Sequence, residues 1–368
     1  MNLLTAYLGT RTTRERNARG EGLSVLRFDP ATGALQRVQL LADLVNPSYL
    51  AVNRAGSRLY CVHGDGFSAS AFAIAADGTL SPLNTVDTRG RNPVHLALSP
   101  DEGHLLVCNH LGASLVLLPV QADGRLGDVV QQVDFGAGEG RPFGGRLGGP
   151  IPGQLGPHRV EQPQAKPHQC PFTPDGRHVL VPDKGLDRIV SLPWDGQRLR
   201  PEAATAVAAR EGAGPRHAVG HPQQPWVYTV NELDSTVLLC TQAPDTGTLS
   251  PRQVVSTLPD TFCGHSRAAA IALDAAGRLL YASNRGHDSV AVFAVDPDTG
   301  RLSLRQVQAT GGRTPRAFTL SPCGRWLLAL NEDSDTVTTF TVHPDDGTLQ
   351  PTGAVLHAGS PVCLVFRP

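Results

Sequence analysis

The amino-acid sequence predicts an all-β fold, a seven-bladed β-propeller, and three observations carry that prediction. The chain has 368 residues, which exceeds the roughly 250–300 residues at which one compact core stops growing. Glycine and proline are abundant, at 39 and 30 residues, and both disfavour helix interiors and are typical of turns. One strand–turn–strand frame also recurs along the whole chain, so a repeat array explains the length better than two separate cores.

The repeated frame consists of a proline-containing turn, an apolar strand, a turn around Pro-x-Gly, a second apolar strand and a final Asn or polar substitute. Six full copies occur, at residues 47–63, 93–109, 167–183, 215–231, 268–284 and 315–331. A third segment follows each second strand and ends in turns such as Asp-Asp-Gly, whose residues tolerate a positive φ. Copies 46–53 residues apart, with one step of 74, match propeller blades of about four short strands.

A seventh copy begins at Pro361 and ends after its first strand. Residues 3–10 supply the missing second strand, since Tyr7 falls in the column that holds Tyr60, Tyr228 and Tyr281. We therefore expect the N-terminal strand to pair with the C-terminal blade, which closes the ring and leaves no open sheet edge. Residues 1–368 are predicted to form one propeller domain.

The step of 74 residues contains an insertion at about 136–164 that is dense in Gly and Pro. This composition predicts a long loop without regular structure. Two interpretations stay open, a lid over the central channel and a surface excursion.

Charge and cysteine usage limit the partners and the compartment. The chain carries 32 basic and 33 acidic residues, so no overall field attracts nucleic acid or an anionic membrane. The N-terminus has neither a basic region nor a long apolar run, which argues against a signal peptide or a membrane span. Seven cysteines without a CxxC pair suggest reduced thiols and a cytoplasmic protein. We expect no metal or other cofactor, and a monomer or weak homodimer.

Two columns of the repeat should converge on one rim of the channel, because the first two strands of each blade are antiparallel and lie closest to the axis. The first column, one residue after the proline position, holds Ser48, Val94, His168, Arg216, Ala269, Arg316 and Val362. The second column, one residue after the Asn position, holds Gly64, His110, Lys184, Glu232, Arg285, Glu332 and Arg11. Charges of both signs around one mouth suit a small anionic ligand that needs proton transfer. For any single residue, a solvated strand end is the simpler interpretation.

Several stretches carry a resemblance to a known family, among them PHQCPFTPDGRHVLVPDKGLDRI at 167–189, GPRHAVGHPQQPWVYTVNEL at 214–233, GRLLYASNRGHDSVAVF at 277–293 and PRAFTLSPCGRWLLALNEDSDTV at 315–337. With them the sequence resembles the seven-bladed propeller lactonase family over all but the insertion. The resemblance implies metal-independent hydrolysis of a sugar-acid lactone, with 6-phosphogluconolactone as the expected substrate. The family site of one His, two Arg and a Glu matches His168, Arg216, Glu232 and Arg285.

The resemblance also suggests roles. Glu232 and His168 would act as base and acid, in an order that stays open, although flanking arginines should lower the pKa of Glu232 and favour it as the base. Arg216 and Arg285 would hold the carbonyl oxygen and a distal phosphate or carboxylate. Further substrate-binding candidates are Lys184, Arg316, Glu332, His110 and Arg11.

The sequence departs from the family pattern near this site. Lys184 stands where Leu is usual and Glu332 where Gln is common, and the only two lysines of the chain, Lys166 and Lys184, flank His168. Two alternatives therefore stay open beside the lactonase. One is a 3-carboxymuconate-type cyclase, and the other is a non-catalytic binding platform, which predicts an apolar patch on one rim.

Overall fold

The computed structural model describes residues 3–136 and 156–368, and these ranges contain 27 β-strands and three short 3-10 helices. The strands form seven antiparallel sheets, six with four strands and one with three. This arrangement confirms the predicted all-β, seven-bladed propeller.

The strands are given blade by blade, from the channel outward. The first three blades contain β27 (Pro361–Phe366), β1 (Leu4–Thr10), β2 (Gly22–Phe28) and β3 (Leu35–Ala42); β4 (Pro47–Val52), β5 (Arg58–His63), β6 (Ser68–Ile74) and β7 (Leu80–Asp87); and β8 (Pro93–Leu98), β9 (His104–Asn109), β10 (Ser114–Pro119) and β11 (Gln131–Asp134). The fourth blade contains β12 (His178–Asp183), β13 (Arg188–Pro193) and β14 (Thr205–Ala208).

The last three blades contain β15 (Pro215–Gly220), β16 (Trp226–Asn231), β17 (Thr236–Gln242) and β18 (Leu249–Ser256); β19 (Arg267–Leu273), β20 (Leu279–Arg285), β21 (Ser289–Val295) and β22 (Leu302–Ala309); and β23 (Pro315–Leu320), β24 (Trp326–Asn331), β25 (Thr336–Val342) and β26 (Leu349–His357). The 3-10 helices are Arg14–Arg16, Pro201–Ala203 and Glu332–Ser334. No helix long and apolar enough to cross a membrane occurs in the two described ranges.

The ring closes through β1, which pairs antiparallel with β2 on one side and with β27 on the other. Leu8, for example, lies opposite both Ser24 and Leu364. The two terminal strands thus share one sheet, as the split seventh copy predicts. Their pairing satisfies backbone hydrogen-bonding groups that an open sheet edge would leave exposed.

The tyrosine column of the repeat links neighbouring blades. Each tyrosine is buried, and its hydroxyl donates to a turn glycine carbonyl of the next blade at 2.8–3.2 Å. The four pairs are Tyr7–Gly78, Tyr60–Gly124, Tyr228–Gly300 and Tyr281–Gly347. A buried hydroxyl needs such a partner, so this column fixes blades against each other where apolar packing alone is non-directional.

The fourth blade differs from the prediction in its innermost segment. Residues 167–172 form two isolated bridges, Pro167 with Asp183 and Phe172 with Val179, instead of a continuous strand. Pro167, Pro171 and Pro182 each lack a backbone N–H, so a full ladder cannot form here.

The predicted lid or excursion at 136–164 lies largely outside the described residues, which resume at Gly156. Residues 156–164 contain no helix or strand. The predictions of a lid and of a single domain over residues 1–368 both stay predictions.

Candidate active site

Bulges at the start of the inner strands create the wall of the central cavity. In five blades the ladder between the first two strands skips one residue directly after its first pair, as between Pro215 and His217. A skipped residue leaves the ladder and its side chain is re-aimed. The skipped residues are the first-column residues Ser48, Val94, Arg216, Arg316 and Val362.

These five residues and His168 all line one cavity of about 410 Å³ in the channel. This volume lies within the roughly 300–1,000 Å³ of small-molecule sites. Of the second column only Arg11 lines the cavity. The two columns do meet at one rim, since Pro215 pairs with Asn231 and Pro315 with Asn331, but the first column forms the wall and the second mostly lies behind it.

Glu232, just after β16, is the centre of the charged network. Its Oε2 lies 3.2 Å from Nε of Arg216 and 3.2 Å from Nη2 of Arg285. Its Oε1 accepts a hydrogen bond from Nζ of Lys184 at 3.0 Å and lies 3.5 Å from Nη1 of Arg267. The side chain is only 5% exposed, so four cations surround one buried carboxylate.

These cations decide the protonation state of Glu232. Burial alone would raise the pKa of its carboxyl, but the positive charges of Arg285, Lys184 and Arg216 outweigh burial and hold the pKa well below its usual range. Glu232 is therefore an anion at every physiological pH. Its oxygens are also occupied by cations, which makes the carboxylate a weak proton acceptor.

His168 has the opposite character. Burial, together with the nearby positive charge of Arg216, lowers the pKa of its imidazole well below the ordinary value, so the ring is neutral. Its Nδ1 is buried and has no hydrogen-bond partner among the described residues. The ring lies 4.9 Å from that of His110 and 5.2 Å from that of His217, measured between centroids.

Arg216 is held from several sides. Its Nη1 donates to the carbonyl of Ala269 at 2.5 Å and contacts Nε2 of His217 at 3.3 Å. Because a guanidinium only donates, Nε2 of His217 is an acceptor and the ring proton is on Nδ1. Arg285 is anchored similarly, with Nη2 donating to the carbonyl of Ala268 at 3.2 Å.

The other predicted residues lie farther around the rim in separate pairs. Arg316 pairs with Glu332 at 3.4 Å, and Arg11 pairs with Asp65 at 3.1 Å. His110 donates from Nδ1 to the carbonyl of Pro167 at 3.0 Å, and burial lowers its pKa to about 3. The structure thus joins Lys184, Arg216, Glu232 and Arg285 directly and leaves Arg11, Arg316 and Glu332 as neighbours of that group.

Sequence reasoning missed two charged residues of the site, Glu161 and Arg267. Arg267 pairs with Arg285 across β19 and β20, one position before the repeat copy begins, so it lies outside both columns. Glu161 lies at the end of the predicted insertion, where no periodicity marks it. His95, His217 and Tyr49 form an aromatic cluster with centroid distances of 4.3–6.4 Å, and Tyr49 and His217 also line the cavity. Of the three, only His217 lies in a sequence stretch that indicated the site, GPRH.

No group of three or more His, Cys, Asp or Glu side chains suited to a metal ion occurs in residues 3–136 and 156–368.

Comparisons with known proteins agree with this architecture. The family model described as "Lactonase, 7-bladed beta-propeller" matches residues 5–366. A 6-phosphogluconolactonase of Bacillus subtilis is 31% identical over 319 residues, which cover 86% of this chain and 85% of that protein. A 6-phosphogluconolactonase of Formosa agariphila is 28% identical over 313 residues, 81% of this chain and 82% of that protein.

Solved structures are similar over the whole length. The periplasmic gluconolactonase of Pseudomonas aeruginosa superposes with a TM-score of 0.86 at 29% identity and covers 100% of this chain and 99% of its own. A protein from Lactobacillus plantarum superposes with a TM-score of 0.85 at 27% identity, covering 99% of both chains.

Proposed function

The chain belongs to the seven-bladed β-propeller lactonase family, and from this premise we propose that it is an enzyme that hydrolyses 6-phosphogluconolactone to 6-phosphogluconate. The observation that carries the proposal is the cavity wall. There a neutral imidazole with an unpartnered nitrogen, that of His168, lies in the same wall as the buried guanidinium of Arg216. Lactone hydrolysis needs such a base and such a cation.

In the proposed reaction His168 is the catalytic base. Water attacks the lactone carbonyl carbon while the imidazole of His168 takes one water proton, and the carbonyl oxygen becomes an oxyanion. Arg216 stabilises this charge as a fixed donor in a desolvated wall. When the tetrahedral intermediate collapses, the bond from carbon to the ring oxygen breaks. His168 then returns its proton to that oxygen, giving the hydroxy acid, which ionises.

Glu232 and Arg285 are assigned positioning roles in this proposal. Neither lines the cavity, and the oxygens of Glu232 are taken up by cations. A carboxylate held by cations behind the cavity wall does not reach a substrate water, but it is a strong anchor for Arg216. We therefore assign the base to His168 instead of Glu232.

The remaining cations give the site its preference for an anionic substrate. Arg11 and Arg316 line the cavity, and Nε of Arg11 is buried without a hydrogen-bond partner among the described residues. An anionic oxygen of the substrate or product would supply the missing acceptor, since guanidinium groups donate strong hydrogen bonds to such oxygens.

The test is acid release in a pH-stat from 6-phosphogluconolactone, glucono-δ-lactone and a lactone without charge, each corrected for spontaneous hydrolysis. The proposal predicts the highest kcat/KM for the phosphorylated lactone. Turnover of 3-carboxymuconate in place of these lactones would support the cyclase alternative. No turnover of any of them would support a binding platform.

We also propose that the protein is cytoplasmic and a monomer or weak homodimer. All seven cysteines are free thiols and five are buried, which suits a reducing compartment, although the similar Pseudomonas aeruginosa enzyme is periplasmic. Cell fractionation and sedimentation velocity test the two statements.

A further inference from the structure

A second group of charges lies beside Glu232 at the mouth, and its centre is Glu161. Oε2 of Glu161 accepts a hydrogen bond from Nζ of Lys184 at 2.8 Å, and its Oε1 lies 2.5 Å from Nη2 of Arg267. Nζ of Lys166 donates to the Glu161 carbonyl at 2.8 Å. Both lysines of the chain therefore contact this one residue, in a protein whose other basic residues are arginines.

Glu161 and Glu232 share the same two cations, Lys184 and Arg267, but they hold them differently. Glu232 directly follows strand β16, is 5% exposed and has four cationic neighbours. Glu161 lies in a segment without helix or strand, is 19% exposed and has two. Another anion can therefore displace Glu161 from these cations at a far lower cost in free energy than it could displace Glu232.

From this difference we infer that Lys184 and Arg267 form a phosphate subsite of the mouth, which the carboxylate of Glu161 occupies when no substrate is bound. The inference rests on the proposed function and adds to it the two residues that bind the phosphate and a competing side chain of the same chain.

The chemistry of the subsite fits this role. An ammonium and a guanidinium hold two different oxygens of one carboxylate, an arrangement that a phosphate with three oxygens can replace. Glu161 keeps two cations paired while the subsite is empty, since unpaired buried charge is costly. A phosphate dianion that enters must displace Glu161, and it then pairs with the two cations that Glu161 leaves.

The experiment measures binding and needs no turnover. Isothermal titration calorimetry with inorganic phosphate, 6-phosphogluconate and gluconate is compared for the wild-type protein, Glu161→Gln and Arg267→Gln. The matched control is Glu202→Gln, because Glu202 is an exposed carboxylate paired with Arg200. Thermal unfolding of each variant verifies that it is folded.

Removing the competitor should raise the affinity for inorganic phosphate and 6-phosphogluconate about tenfold in Glu161→Gln, because one nearby negative charge is lost. Arg267→Gln should lower both affinities by a similar factor, and the ratio of 6-phosphogluconate to gluconate binding should fall with it. Glu202→Gln should match the wild type.

Unchanged or weaker phosphate binding in Glu161→Gln would overturn the inference, as would unchanged binding in Arg267→Gln. The proposed function fails separately, when the wild-type protein binds 6-phosphogluconate but hydrolyses none of the lactones.

Discussion

Replacing Glu232 by Gln tests how the charged site is held together. The change removes one negative charge from a position that lies 3.0–3.5 Å from four cationic groups. At an effective dielectric constant near 20 each such pair is worth about 5 kcal/mol before the desolvation of both partners is subtracted. Removing one partner of a buried ion pair typically costs about 3–5 kcal/mol net.

This loss of free energy should lower the unfolding temperature by a measurable amount. An unfolding entropy of about 2.1 cal/mol/K per residue over the 368 residues corresponds to a fall in Tm of about 4–6 °C. Activity should fall too, by about 10²-fold in kcat/KM, since Arg216 loses the anchor that orients it and misplacement by about 1 Å has that effect.

The stabilisation that Glu232 and its cations provide should depend on pH. The carboxyl of Glu232 has a lowered pKa in the folded protein, so its contribution is fully present above the unfolded value of about 4.3 and is lost as pH falls towards the folded pKa. The difference in Tm between wild type and Glu232→Gln should therefore be constant from pH 5 to 8 and shrink at lower pH.

Differential scanning calorimetry across this pH range is the assay. A Tm within about 1 °C of the wild type at pH 7 would refute the anchor role. Loss of activity with unchanged Tm would instead support Glu232 as the base.

Three other predictions concern the tyrosine column, the exposed cysteines and His168. Tyr281→Phe should lower the free energy of unfolding by about 1–3 kcal/mol, because the buried carbonyl of Gly347 loses its donor. Urea unfolding measures the change. An unchanged free energy of unfolding would mean that the tyrosine column does not hold neighbouring blades together. Two thiols, those of Cys263 and Cys323, are exposed and five are buried, so Ellman's reagent should label two thiols in the native protein and seven in urea. More than two labelled native thiols would contradict the described packing. Finally, His168 is neutral because burial lowers its pKa, so kcat/KM should hold its value as pH falls from 8 to about 6; a drop centred at the free-imidazole value of about 6.5 would assign the base elsewhere.

Sequence periodicity predicted the strands and the rim well, because alternation and turn residues follow directly from burial and backbone geometry. The Pro-to-Asn frame placed Arg216 and Glu232 on the same rim, and the tyrosine column located the N-terminal strand in the last blade. Both are local patterns repeated in register.

Which charged residues line the cavity and which lie behind its wall could not be predicted in the same way. The bulges that turn Arg216 and Arg316 into the cavity arise from a mismatch in pairing between two strands, which a single strand does not encode. Glu161 reaches Lys184 from an irregular segment, and its position is a product of tertiary contacts alone. The two columns predict the arginine neighbours of Glu232, whereas its contacts with Lys184 and Arg267 depend on how the blades pack.

The role of His168 is measured by the rate of acid release from 6-phosphogluconolactone in a pH-stat, comparing the wild type with His168→Asn. The exposed His357→Asn is the matched control. The wild type and His357→Asn should accelerate hydrolysis equally, whereas His168→Asn, still folded by circular dichroism, should lose about 10²–10⁴-fold in kcat. Full activity in His168→Asn would show that His168 is not the base.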